Sequence, residues 1–347
     1  MVTIKDVAKK SGFSVATVSA VINNVPVVSP KARQQILAAI EELGYRPNYV
    51  ARSLKSQKTS SLAIMVRDIT NPFYPDVVMG FEEVAWANNY EVFLCNTENV
   101  LERESKYINN LISKKVDGVI IATSFIKRNK EYDKLKEAGI PYVFVNRKPG
   151  QMRDYEAFVG SDNRLASEKA IRHLSALGHR RIQYLSGPLQ MSTFKERFEG
   201  YIEGMAKLGL PVEDRAIMIG SDFSEQIGYE LAKQMLKAPS LPDAVFCSND
   251  LMAFGVHRAF KEAGVSIPDD VALVGLDNNR YSHLIELTSV DPQHREMGRT
   301  AARLLLDMIA NSDSDSLPKE VLLEPEVVVR STCGASRFKT DRLQNLG

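Results

Sequence analysis

Aromatic, amide and charged residues recur immediately after the apolar segments that read as β-strands. Aromatic rings can stack on the faces of a polyhydroxylated ring, while amides and guanidinium groups can bond its hydroxyls. The sequence therefore predicts a binding site for a neutral, sugar-like small molecule. Ordinary loop polarity is the alternative for each residue, and Asp250 could instead cap a helix over 251–263. The residues that follow these segments are Asn71, Phe73, Tyr74, Ser124, Asn146, Arg147, the segment 187–197, Phe223, Asn249, Asp250, Asp277, Asn278 and Gln293.

The sequence lacks the common motifs of catalysis and metal binding. It contains no G-x-S-x-G nucleophile elbow, no P-loop and no G-x-G-x-x-G dinucleotide fingerprint. The five histidines have no spacing typical of a metal site or a catalytic triad. Three distant cysteines suit neither a disulfide framework nor a metal site, so we expect Cys95, Cys247 and Cys333 to be buried thiols. We therefore expect a binding protein rather than an enzyme, with no cofactor and no metal.

Short apolar segments alternate with amphipathic segments from residue 62 onward. This alternation predicts doubly wound parallel sheets that are covered by helices on both faces. Such sheets bind ligands beyond the carboxyl ends of their strands, where the polar residues lie. The predicted strands span 62–66, 91–95, 118–122, 142–145, 182–185, 216–219, 244–247 and 272–274, and the predicted helices include 75–88, 101–114, 163–177 and 250–263.

The net charge of +1 hides a basic N-terminus on an acidic remainder. Residues 1–60 contain nine Lys and Arg and three Asp and Glu. The other 287 residues contain 35 Lys and Arg and 40 Asp and Glu. A cationic segment of this kind favours a polyanion as its partner. The chain has no run of about 20 apolar residues that could cross a bilayer, and its N-terminus lacks the apolar core of a signal peptide. We therefore expect a cytoplasmic protein with no membrane partner.

The basic N-terminus carries the signals of three short helices. Thr3 and Asp6 resemble a capping box, Gly12 can end the first helix, and Ser14 can cap a second helix from Val15 to about residue 23. Ser29 and Pro30 begin a third helix, which we expect to bury Ile36, Leu37, Ile40 and Leu43. Two helices joined by a tight glycine turn predict a helix-turn-helix, whose second helix lies in the DNA major groove. A helical bundle that only packs on the rest of the chain is the alternative.

The segment 47–60 joins this head to the remainder. It is long enough for only about two helical turns, and so short a helix is marginal in water unless a partner holds it. Leu54 lies between cations, which is the composition expected of a wedge that enters the DNA minor groove. We expect a hinge helix that forms on DNA.

Two runs, VTIKDVAKKSGFSVATVSAVIN and AAIEELGYRPNYVARSLK, resemble the head and hinge of the lactose/galactose repressor family. The later segments DITNPFY, VDGVI, GHRRI, FCSNDLMAFGV and ALVGLDN extend the similarity to about residue 332. The resemblance implies a bacterial transcriptional regulator, with an all-α helix-turn-helix head and a periplasmic-binding-protein-like α/β body of type I. Such a body has two doubly wound parallel-sheet subdomains, which hold the effector between them.

The resemblance also implies the boundaries of these parts. The chain would cross between the subdomains three times, near 160–162, 289–292 and 317–320. The head would span 1–46 and the hinge helix and linker 47–60. The N-terminal subdomain would combine 61–161 with 291–319, and the C-terminal subdomain 162–290 with 320–333. Independently of the resemblance, residues 334–347 are polar and lack periodicity, which predicts a disordered tail.

The candidate site residues form two sets. The effector set implied by the resemblance is Phe73, Tyr74, Asn146, Arg147, Arg197, Phe223, Asn249, Asp277 and Gln293, with Asn71 at its edge; Ser124, which follows the third strand, and Met191 complete it. The DNA-binding set in the head and hinge is Thr3, Ser14, Val15, Ala16, Thr17, Ser19, Ala20, Asn23, Tyr45, Asn48, Ala51, Leu54 and Lys55.

Two departures from the family pattern bear on the effector. Many sugar-binding members have an aspartate where this chain has Asn146, which weakens the assignment to a pentose. Met191 stands where the purine repressor has a ligand-contacting arginine, which argues against a purine. A monosaccharide or a related polyol remains the predicted effector.

We expect a homodimer, because two heads can read the two halves of a palindromic operator. Whether the effector favours or opposes DNA binding stays open, as does the choice between a dimer and a tetramer. The alternative function is a regulator whose body responds to a protein coregulator. That partner could contact a helix over 297–309, with Arg295, just before it, and Arg299 and Arg303 expected to be exposed.

Overall fold

The computed structural model describes residues 2–22, 25–45, 59–123, 129–150, 152–311 and 318–335. The chain divides into two compact units, the head over 1–59 and the body over 60–347. The predicted hinge helix lies almost wholly outside the described residues, as does most of the predicted tail.

The head consists of three helices, α1 (Ile4–Ser11), α2 (Val15–Ile22) and α3 (Pro30–Leu43). The predicted caps are present: the Asp6 carboxylate accepts hydrogen bonds from the Thr3 backbone N–H and hydroxyl, both at 2.8 Å, and the Ser14 hydroxyl accepts one from the Thr17 N–H at 3.1 Å. Gly12, with φ 76°, ends α1 in the left-handed conformation. The apolar core of the head contains Val7, Val18, Val21, Ile36 and Ala39.

One prediction for the head core is wrong. Leu37 is 49% exposed, whereas its neighbour Ile36 is fully buried. The buried face of α3 continues through Ala39, so the helix presents a narrower apolar stripe to α1 and α2 than its sequence suggests.

The first half of the body is a six-stranded parallel sheet. Its strands are β1 (Ser61–Val66), β2 (Glu91–Asn96), β3 (Gly118–Ala122), β4 (Tyr142–Val145), β5 (Ala157–Ser161) and β11 (Glu320–Leu323), in the spatial order β11-β5-β4-β3-β1-β2. Its helices are α4 (Phe73–Ala87), α5 (Leu101–Lys114), α6 (Glu131–Glu137) and α11 (His294–Ala310). One apolar cluster covers each face of the sheet, which confirms the doubly wound arrangement.

The second half repeats this plan. Its strands are β6 (Ile182–Ser186), β7 (Ile217–Ile219), β8 (Ala244–Cys247), β9 (Ala272–Leu276), β10 (Thr288–Asp291) and β12 (Glu326–Val328), in the order β12-β10-β9-β8-β6-β7. All of its pairings are parallel except that of β10 with β12. Its helices are α7 (Asn163–Ala176), α8 (Ser192–Lys207), α9 (Glu225–Met235) and α10 (Asp250–Glu262). The three cysteines are free and buried, as expected.

The third crossing between the halves lies later than the sequence suggests. We expected 320–333 to belong to the second half, but β11 pairs in parallel with β5 of the first sheet, with Glu320 opposite Phe158. The chain therefore crosses at 324–325, between β11 and β12. Asp291, which we placed in the first half, belongs to β10 and hence to the second sheet.

Candidate functional site

Side chains from both halves of the body surround one small cavity at the carboxyl ends of the strands. Eight of the predicted effector residues line it, together with Asn71, Thr193 and Phe194. Its volume is about 20 Å³, far below the roughly 300 Å³ at which small-molecule pockets begin. The two halves are therefore closed on each other at these residues. The eight predicted residues are Phe73, Tyr74, Asn146, Arg147, Arg197, Phe223, Asn249 and Asp277.

The first half contributes aromatic rings from the start of α4. The Asn71 carboxamide accepts a hydrogen bond from the Phe73 N–H at 3.0 Å, and so fixes the turn that leads into the helix. Phe73 and Tyr74 are both buried and meet edge to face at 5.0 Å. After β4, Asn146 adopts a left-handed backbone with φ 69°, and Arg147 is buried beside it. Each of these groups follows a strand of the first sheet.

The second half contributes a buried ion pair. Arg197 lies 3.3 Å from the Asp277 carboxylate and donates to the Ser248 carbonyl at 2.6 Å and to the Asn163 carboxamide at 2.9 Å. Arg197 does not lie in the loop after the strand, as its place in the segment 187–197 suggested, but on helix α8, where it is only 4% exposed. It therefore connects three elements of the second half.

Asn249 rather than Asp250 caps helix α10. The Asn249 carboxamide oxygen accepts from the Met252 N–H at 3.0 Å, and its nitrogen donates to the Phe223 carbonyl at 2.9 Å. The buried Asp250 carboxylate instead accepts hydrogen bonds from the hydroxyls of Ser282 at 2.5 Å and Ser289 at 2.6 Å. The alternative that we considered for Asp250 is therefore wrong, and Asp250 fixes the loop after β9 from behind the cavity.

Burial shifts the ionisation of several groups around the cavity. It raises the pKa of Asp277 to about 7, although Arg197 opposes the shift. Burial also lowers the pKa of Arg147, and the positive charges of Arg67 and Arg197 lower it further. The pKa of His294 falls to about 3 because burial disfavours its cation. Asp277 also has φ 124°, a backbone strain of the kind that functional sites retain.

The structure does not bring every predicted residue to the cavity. Gln293 donates its side-chain N–H to the Glu324 carbonyl at 2.6 Å, and thus ties two of the crossing segments together instead of facing the cavity. Met191 lines a separate cavity of about 830 Å³ between the halves, which Arg147 also borders. Ser124 lies outside the described residues.

Two residues near the cavity, Arg67 and His294, escaped the sequence reasoning. Arg67 directly follows β1, so the rule of reading strand ends would have found it. Thr193 and Phe194 fall within the segment 187–197 that the sequence analysis named, and they lie on α8 one turn before Arg197, at a helical spacing that identifies a shared face. His294 packs edge to face against Phe73 at 4.3 Å, and its buried Nε2 has no hydrogen-bond partner. No local pattern predicts that contact.

The head presents part of the predicted DNA-binding set on α2. Val15 and Ala16 are exposed at its first turn, beside Ser14. Tyr45 packs against the head core and is therefore half-buried. The remaining described members, at partly or fully exposed positions, are Thr3, Thr17, Ser19 and Ala20. Outside the described residues lie Asn23, Asn48, Ala51, Leu54 and Lys55.

The three arginines of α11 are compensated by neighbouring carboxylates. Arg295 and Arg299 pair with Glu83, and Arg299 and Arg303 pair with Glu296. This surface is consequently less cationic than the sequence suggests. In the part of the chain that the structure describes, no cluster of ligating side chains could hold a metal ion, and no helix is long and apolar enough to cross a membrane.

Comparison with known proteins places both units in one family. Residues 3–48 match the family described as "Bacterial regulatory proteins, lacI family". Residues 59–325 match "Periplasmic binding proteins and sugar binding domain of LacI family". The HTH-type transcriptional repressor PurR of Photobacterium profundum is 33% identical over 334 residues, which cover 96% of this chain and 98% of the relative.

Two solved structures are similar over almost the whole chain. The lac repressor dimer bound to operator and the anti-inducer ONPF has a TM-score of 0.82 at 26% identity, with 96% of this chain and 99% of that chain covered. The complex of the transcriptional regulator CelR with cellobiose has a TM-score of 0.71 at 30% identity, with 96% and 100% covered. These relatives confirm the prediction of a transcriptional regulator rather than an enzyme. The chain is a transcriptional repressor that belongs to the lacI family.

Proposed function

We propose that this repressor binds a palindromic operator as a homodimer, and that a small molecule held between the halves of its body controls the affinity. The observation that carries the proposal is the closed cavity, because eleven residues from both halves line a space of about 20 Å³. A ligand of sugar size can enter this cavity only if the halves move apart around it. Ligand binding and the arrangement of the halves are therefore coupled.

Contacts across the cleft hold the halves together. Arg67 of the first half lies over the Phe223 ring of the second at 4.7 Å, and Arg280 of the second reaches Asp76 on α4 at 3.5 Å. The Lys148 N–H donates to the Ser192 hydroxyl at 3.3 Å. All three contacts are individually weak. A ligand that forms stronger bonds to both halves can thus shift the balance between arrangements.

In the head, we assign operator recognition to the first turn of α2. Val15 and Ala16 are small, apolar and exposed there, so they can contact thymine methyl groups in the major groove. The hinge would enter the minor groove with Leu54 as its wedge. Binding to operator DNA would place the protein with the nucleoid in the cytoplasm.

Large exposed apolar side chains support the homodimer. Trp86 on α4 is 76% exposed and Leu284, in the loop after β9, is 68% exposed. A second copy that covers such groups gains the free energy of removing them from water. Two copies related by a two-fold axis would present two heads to the two half-sites of an operator.

For the effector, we propose a monosaccharide or a related polyol. Aromatic rings and amides surround the cavity, a combination suited to sugar rings and their hydroxyls. The similar structure of CelR is a complex with cellobiose. Whether the effector releases the operator or strengthens its binding is decided by which arrangement of the halves it favours.

Selection of duplexes from a random library, followed by fluorescence anisotropy, tests the proposal. We expect a palindromic sequence, salt-sensitive affinity, and a change in affinity with one sugar of a panel. Ala16→Glu should abolish operator binding, whereas Gln35→Glu, an equal charge change on an exposed position of α3, should retain most of it. The proposal fails if no palindrome is selected, if both variants bind alike, or if no small molecule alters binding.

A further inference from the structure

Three arginine side chains converge on one pair of aromatic rings at the cavity. Phe194 and Phe223 are 5.1 Å apart. The guanidinium carbon of Arg67 lies 4.7 Å from the centre of the Phe223 ring, and that of Arg147 lies 5.3 Å from it. Arg197 lies 6.0 Å from the Phe194 ring. Two of these arginines come from the first half of the body and one from the second, so all three meet where the halves close.

The carboxylates around this cluster are already engaged. Asp277 pairs with Arg197 at 3.3 Å. Asp68, next to Arg67, accepts two hydrogen bonds from Thr70, at 2.7 and 2.9 Å. Asp277 is the only acidic residue among the described residues that line the cavity, against Arg147 and Arg197. Two arginines against one carboxylate leave the lining cationic, and Arg67 lies at its edge beside the Asp68 carboxylate.

Arg67 has unused hydrogen-bonding capacity. One terminal nitrogen of its guanidinium is buried and has no hydrogen-bond partner. A guanidinium N–H that is buried without an acceptor costs free energy, and stacking on Phe223 supplies no acceptor. Carboxylate and phosphate groups match the guanidinium fork with two parallel hydrogen bonds, and they also balance its charge. Neutral hydroxyls supply the hydrogen bond but not the charge.

We propose that the effector is a sugar or polyol that carries an anionic group, a carboxylate or a phosphate ester, and that Arg67 and Arg147 bind this group. The inference rests on the proposed function, because it identifies the chemistry of the molecule that the cleft takes up. The sugar framework lies against Phe73, Phe194 and Phe223. The anion takes the place of the aromatic contacts of Arg67 and Arg147, and thereby links the arginines of the first half to a ligand held by the second.

Calorimetric titration of the full-length protein with matched ligands tests the inference. The hexose arm compares D-glucose, D-glucuronate and glucose 6-phosphate, and the pentose arm compares D-ribose, D-ribonate and ribose 5-phosphate. We expect the charged member of one arm to bind at least about tenfold more tightly than its neutral counterpart, as hydrogen bonds between charged groups allow. The preferred charged member identifies the carboxylate or the phosphate ester as the recognised group.

Arg67→Gln should weaken binding of that charged ligand about tenfold and remove the preference over the neutral sugar. Arg153→Gln, which removes an exposed arginine paired with Asp133 in the same half, is the matched control and should leave binding unchanged. Equal affinity for neutral and charged members, or an anion affinity unaffected by Arg67→Gln, would overturn the inference and leave the proposed function standing. If no member of either arm binds, the inference is overturned, whereas the proposed function fails only if the whole sugar panel also leaves operator affinity unchanged.

Discussion

Replacing Gly200 with alanine should leave the body less stable than the same replacement at Gly204. Both glycines lie on α8, which packs against α7. A Cβ atom on Gly200 would lie 2.3 Å from the Arg164 backbone carbonyl oxygen, but one on Gly204 would lie 3.3 Å from its nearest neighbour, the Ile171 Cβ. Ordinary contact begins at 3.4 Å. Helix α8 must therefore move by about 1 Å at Gly200 and hardly at all at Gly204.

Both substitutions exchange the same residue types on the same helix, so the difference in stability between the two variants measures the cost of the clash at Gly200. Each gains about 1 kcal/mol of helix propensity. Overpacking at Gly200 costs about 1–3 kcal/mol, which cancels or exceeds this gain. We expect Gly200→Ala to be less stable than Gly204→Ala by about 1–3 kcal/mol. Urea unfolding followed by circular dichroism measures the difference.

The displacement at Gly200 should also reach the cavity. Arg197 lies one turn earlier on α8 and bonds the Ser248 carbonyl at 2.6 Å. A shift of about 1 Å lengthens this bond beyond the usual range, so Gly200→Ala should also weaken effector binding. Equal stability of the two variants, or a more stable Gly200→Ala, would refute the reasoning from close helix packing.

Three further predictions follow from burial. Ile36→Ala should destabilise the head by about 2–4 kcal/mol and abolish operator binding. Leu37→Ala, at an exposed position, should change neither the stability nor the binding. Thermal unfolding measures the stability of the two variants, and anisotropy measures their operator binding. The two carboxylate oxygens of the buried Glu104 accept hydrogen bonds from the hydroxyls of Thr123 and Tyr132, both at 2.5 Å. Glutamine has only one side-chain oxygen and cannot accept both, so Glu104→Gln should lower the free energy of unfolding by about 1–3 kcal/mol. Unchanged stability would contradict this. The pKa of Asp277 is raised from 3.8 to about 7, so the folded state binds the extra proton and its stability should fall as pH rises through this interval. Asp277→Asn should remove that part of the pH dependence, which urea unfolding of both proteins at pH 5, 6 and 7 would measure. If the free energy of unfolding of the variant falls with pH in parallel with that of the unmodified protein, the reasoning is refuted.

Much of the cavity could be predicted from the sequence because strand ends are local signals. Arg147 and Asp277 each follow an apolar strand, and parallel strands of one sheet end at a common edge. The same reasoning would have included Arg67. It could not exclude Gln293, because the turn with φ 62° that directs this side chain to Glu324 depends on how the crossing segments pair.

The third crossing shows a different limit. Strand β11 has only four residues, and its sequence does not specify its partner. Its place beside β5 depends on a pairing between residues about 160 positions apart, Glu320 with Phe158. Contacts at such separation are set by the packing of the whole subdomain and leave no local pattern.

The sequence by itself determined the helix caps, the basic helix-turn-helix head, the alternation of strands and helices, and the polar residues at strand ends. These properties depend on neighbours within a few positions, so that residue type and spacing suffice to reveal them. Only the tertiary structure decided that Arg197 is a buried partner of Asp277 and that Arg67 and Arg147 meet the aromatic rings of the other half. Those contacts form where two separately built sheets close on each other, and the free energy of that closure depends on surfaces that no single segment contains.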